Sequence, residues 1–82
     1  MTDNVVKVIL AKMHRHGYIG GRHTSILNIP KGFPKHVYSR VKKAAKELMK
    51  QNLLMVKPTA YGLQVSLNPR KMDEIERIIR DP

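Results

Sequence analysis

Cysteine and tryptophan are absent from this chain of 82 residues, and aromatic residues make up only 5% of it. Without cysteine there can be neither a disulfide nor a thiolate metal site. Acids are scarce as well: six Asp and Glu stand against sixteen Lys and Arg, giving a formal net charge of +10. All the acids except Asp3 and Glu47 lie in the last ten residues. No carboxylate pair, nucleophile–base set or metal shell can be assembled from such a distribution, so no enzyme, cofactor or metal is expected. No apolar run approaches the roughly 18 residues that span a bilayer. The opening Met-Thr-Asp-Asn-Val-Val has no basic region, long apolar core or small-residue cleavage site. The expectation is a cytoplasmic protein with no membrane partner. Hydrophobic content of 41% suffices for one compact core. Residues 1–82 are therefore read as a single domain.

What the chain does have is positive charge, unevenly spread. Residues 35–50 carry six cations against Glu47, whereas 70–82 carry four cations against four acids. The organising stretch runs from Phe33 to Lys50. Val37, Val41, Ala44, Ala45 and Leu48 recur at the spacing of a core-facing helical stripe. At about 100° per residue, Lys35, Ser39, Lys42, Lys43, Lys46 and Lys50 gather on the opposite side. The spacing predicts a helix over 34–50 with Pro34 at its first position. A sign imbalance collected on one element is the electrostatic footprint of a polyanion-binding face.

In chain order, a first helix is predicted over 4–16, capped by Thr2, Asp3 or Asn4 and ended by Gly17. Val5, Val6, Ile9, Leu10 and Met13 form its apolar stripe. Residues 17–23 are a connector, because their Gly-Gly lacks the βαβ context of a phosphate loop. Thr24 and Ser25 precede three apolar residues and suggest a short second helix over 24–29, broken by Pro30-Lys31-Gly32. Phe33 is expected to pack beneath this turn, and Tyr38 to sit at the edge of the core. After Asn52 the period becomes strand-like. Strands over 53–57 and 63–67 flank a five-residue loop, with Leu63, Val65 and Leu67 facing the helices. Asn68 and Pro69 open a final helix with Met72, Ile75, Ile78 and Ile79 inward. Its Asp73–Arg77 and Glu76–Arg80 spacings predict i, i+4 ion pairs.

Helix, connector, short helix, long basic helix, β-hairpin, helix: over nearly the whole chain this order resembles the winged helix-turn-helix family. The family features are the short helix at 24–29, the recognition helix at 34–50 and the wing at 53–67. Residues 57–69, Lys-Pro-Thr-Ala-Tyr-Gly-Leu-Gln-Val-Ser-Leu-Asn-Pro, are also similar to small archaeal winged-helix proteins. The expected fold class is α+β, mostly α: a three-helix core, a C-terminal-side hairpin wing and a final helix. The departure from the family pattern is the brevity of helix 24–29, with Pro30 at its end. The resemblance implies a third helix in the major groove and a wing on flanking backbone or minor groove.

The candidate contacts are Lys35, His36, Ser39, Arg40, Lys42, Lys43, Lys46 and Lys50 on the helix, with Lys57, Thr59 and Tyr61 on the wing. Tyr61 either meets a ligand or packs its ring on the hairpin. Five lysines and one arginine suit phosphate neutralisation better than bidentate reading of bases. His14, His16, His23 and His36 lack acid or cysteine partners for a metal, and phosphate contact suits them better. The leading reading is double-stranded DNA binding, as a small transcriptional regulator or nucleoid-associated protein. The alternatives are an RNA-binding or ribosome-associated module for structured RNA, and an interaction module for an acidic protein. A homodimer through the first or last helix would suit paired half-sites.

Overall fold

The computed structural model describes residues 4–81, so the proposed caps Thr2 and Asp3 lie outside the described residues. Helix α1 (Asn4–Arg15) buries Val5, Ile9, Leu10 and Met13, the stripe its periodicity sets. Gly17, at φ 72°, ends it. The Tyr18 N–H reaches back to Met13 O at 3.0 Å and the Gly17 N–H to His14 O at 3.1 Å. This is a Schellman closure, which satisfies the last carbonyls and needs a left-handed residue at that position.

The segment predicted as a second helix divides in two. Thr24–Ser25 form strand β1, and only Ile26–Asn28 turn, as a single turn of 3-10 helix. The cap is nevertheless real: the Ser25 hydroxyl accepts the Leu27 N–H at 3.2 Å. Pro30 closes the segment on one side and sheet pairing takes Thr24 and Ser25 on the other, leaving no room for an α-helix. The core is thus built on α1, the long helix and the final helix. Lys12 of α1 donates to Lys31 O at 2.6 Å and Asn28 O at 3.4 Å, anchoring the following turn. Gly32 completes that turn at φ 95°.

The long helix starts as a 3-10 turn, Lys35–Val37, and continues as α2 (Tyr38–Lys50). Pro34 caps this turn in an extended conformation instead of occupying its first position. Val41, Ala45 and Leu48 are buried, Val37 and Ala44 half-buried, and Phe33 packs against the core. Asn52, at φ 61°, repeats the closure seen at Gly17: the Leu53 N–H donates to Leu48 O at 3.0 Å and the Asn52 N–H to Met49 O at 3.1 Å.

Strands β2 (Leu54–Thr59) and β3 (Gly62–Leu67) pair antiparallel down to Thr59 opposite Gly62. The connection is two residues, Ala60 and Tyr61, not the five predicted. Pro58 lies within the ladder because β2 is an edge strand, where a missing N–H is tolerated. β1 pairs with the other side of β3, giving the sheet order β1-β3-β2. Val65 and Leu67 are buried against the helices as predicted, but Leu63, further along the hairpin, is 41% exposed.

Asn68 joins the sheet to the last helix and accepts the Arg70 N–H at 3.0 Å. Pro69–Lys71 make a 3-10 turn, and α3 (Met72–Arg80) buries Ile75 at the centre of its stripe. The predicted Asp73–Arg77 and Glu76–Arg80 pairs do not close. Glu76 turns instead to His14 on α1, its Oε2 meeting the imidazole Nε2 at 3.2 Å. A solvated pair along one helix is worth only about 0.2–0.5 kcal/mol, so little is lost when Glu76 turns to the neighbouring helix.

Candidate nucleic-acid interface

Burying Val41, Ala45 and Leu48 fixes the rotation of α2, and with it the direction of every other side chain on that helix. Ser39, Arg40, Lys42, Lys43, Lys46 and Lys50 are all exposed. Lys35 and His36 are exposed too, although their 3-10 turn advances faster than an α-helix and so shifts their phase. Among the described residues, none of these eight side chains makes a hydrogen bond or ion pair. Glu47, the one acid of the helix, is exposed beside Arg40 and Lys43 and pairs with neither. The helix therefore presents uncompensated positive charge to solvent. Such a face lowers its self-repulsion most by meeting an array of anions.

The cations are not all equivalent. Arg40 and Lys43 line a shallow depression with Ala44, Glu47 and Val6 of α1. Lys42 and Lys46, one turn apart, rim a groove of about 200 Å³ floored by Ile26, Ile29, Pro30, Ala45 and Met49. Leu27 also lines this groove and is 73% exposed. The sequence pattern has Leu27 as one of three apolar residues in a short second helix. A single 3-10 turn cannot bury Ile26, Leu27 and Ile29 together, and Leu27 is the one left outside.

No family model, curated protein or solved structure matches this chain. The chemistry of the site is accordingly read from its own residues.

On the hairpin, Lys57 is exposed and lies opposite Gln64 across the strands. The Gln64 side chain in turn meets His23 Nδ1 at 3.2 Å. His23 is thus brought to the outer face of the sheet beside Lys57, a neighbour that only the β1–β3 pairing creates. The Thr59 hydroxyl is committed to its own turn: it accepts the Tyr61 N–H at 3.2 Å and donates to Gly62 O at 2.7 Å. Tyr61 does not pack on the hairpin, for it is 95% exposed at the tip. The remaining imidazoles scatter. His14 goes to Glu76, and His16 stacks on Tyr18 with ring centroids 5.7 Å apart. No helix among the described residues is long and apolar enough to cross a membrane.

Proposed function

We propose that this protein binds nucleic acid, double-stranded DNA in the first place, through the outward face of α2. The observation that carries the reading is the set of eight exposed side chains from Lys35 to Lys50, six of them cations and none paired with an acid among the described residues. A helix of this width fits a B-DNA major groove, about 12 Å across. The element order and the β1-β3-β2 sheet support a winged helix-turn-helix arrangement, with β2 and β3 as the wing. In this chain the second helix of the motif is reduced to one 3-10 turn. Lys12, reaching across from α1, compensates by holding the turn that sets the start of α2.

Lysines dominate the face, and they neutralise phosphates as point charges without reading base edges. Arg40 is the only arginine on it. Binding is accordingly strong at low salt, steep in its salt dependence and weakly discriminating in sequence. That profile suits a nucleoid-associated protein or a small regulator recruited to many sites. Pairing of two copies through α1, where Val8 is exposed, or through α3 would multiply the cationic faces on one duplex.

The groove beneath Lys42 and Lys46 favours a second reading, an acidic amphipathic polypeptide laid over Leu27. Competition among duplex DNA, structured RNA and a polyglutamate-rich peptide, at low and near-physiological salt, separates the readings. DNA displaces both competitors if the first is right. Displacement of DNA by the peptide at near-physiological salt would reverse the order, and preferential retention of RNA would move the function to structured RNA.

A further inference from the structure

The hairpin is poor in what a phosphate contact needs. Across residues 54–67 the only charged side chain is Lys57, which shares the outer face of the sheet with Gln64. The other face carries Val56, opposite the buried Val65, and then Pro58 opposite Leu63. Near the body this side of the sheet is core. Further out it is bare: Val56, Pro58 and Leu63 are exposed, and Tyr61 crowns them at 95%. The two hydrogen bonds of Thr59 fix the turn, so the tyrosine is presented from a set backbone and not from a floppy loop. A single exposed aromatic is ordinary on a protein surface. A hairpin with one charge, an apolar face and such a ring at its tip, attached to the body that carries a lysine helix, is a different matter.

A polyanion held by α2 offers this hairpin two kinds of surface. Its phosphates call for cations, of which the hairpin supplies one, Lys57. Its base faces are apolar and polarisable, and stack on aromatic rings whatever the sequence. In a continuous duplex those faces are hidden; they open at ends, junctions and single-stranded arms. We infer that Tyr61 stacks on an unpaired base beside the duplex held by α2, so that the preferred ligand is a junction between double and single strand. This rests on the reading of α2 as the polyanion-binding face.

The test compares a blunt DNA duplex with the same duplex carrying a single-stranded arm, the first unpaired base being a fluorescent adenine analogue. The arm should strengthen binding roughly tenfold, the scale of one base–aromatic stack, and should quench the analogue. Tyr61→Phe should keep both effects, whereas Tyr61→Ala should bring the ratio of the two affinities close to one. Lys42→Glu should weaken both forms and leave their ratio in place. Equal affinity for the two duplexes, a ratio that survives Tyr61→Ala, or a phenylalanine variant that behaves like alanine overturns the inference while leaving the α2 reading intact. Failure to bind either DNA overturns the α2 reading and the inference with it. A monomer–dimer equilibrium abolished by Tyr61→Ala in sedimentation, with no arm preference, would make the hairpin a contact between copies instead.

Discussion

Lys12 Nζ lies 2.6 Å from the carbonyl oxygen of Lys31, so a cation of the first helix is engaged at the protein surface by the backbone of the turn that leads to α2. A hydrogen bond from a charged donor to a turn carbonyl contributes more than a neutral one. It also removes Lys12 from the set of cations free to meet a ligand.

From this contact follows the first expectation. Lys12→Met keeps the aliphatic stem and removes the donor, and should cost about 1–2 kcal/mol of stability. The check is the midpoint of urea unfolding, which should fall with no change in the slope. Duplex affinity measured at a temperature where the variant is folded should drop as well, because the turn no longer fixes where α2 begins. An unaltered midpoint would show that the Lys12 contact contributes nothing.

A second expectation concerns the far end of α2. Asn52 holds a left-handed conformation at φ 61°, and its carbonyl accepts the Asn68 side-chain amide at 2.8 Å. Asn52→Gly preserves that conformation and the backbone acceptor, and should change stability by only a few tenths of a kcal/mol. Asn52→Ala keeps the Cβ in the left-handed region but removes the short polar side chain that makes asparagine tolerant of it, and should cost about 1 kcal/mol. Thermal unfolding of the two variants side by side distinguishes them; equal losses would mean that the left-handed closure is not what ends the helix.

How far the sequence reveals this structure can be judged at particular residues. The stripe of α1, the buried face of α2 and the Asn68–Pro69 start of the final helix were legible because each depends on neighbours within a turn or two. Strand β1 was not. Thr24 and Ser25 carry a capping signal, and Ser25 does cap, but their extended conformation comes from pairing with Val65 and Gln64 across the fold. Pro58 misleads about the hairpin for a related reason. Proline signals a turn unless the strand is an edge, and the edge is defined only once β1 has taken the other side of β3. Of the candidate site, the lysine face was legible from period alone. The exposure of Leu27, the arrival of His23 beside Lys57 and the commitment of the Thr59 hydroxyl to its turn all needed tertiary structure.

The central claim concerns the outward charge of α2, and the salt dependence of duplex affinity tests it most directly. With six phosphate contacts, the logarithm of the association constant should fall against the logarithm of salt concentration with a slope of about −5. Replacing Lys42, Lys43 and Lys46 together by glutamate should leave the circular dichroism spectrum in place and flatten that slope as affinity collapses. A folded triple variant that binds duplex with undiminished affinity and the same slope would contradict it.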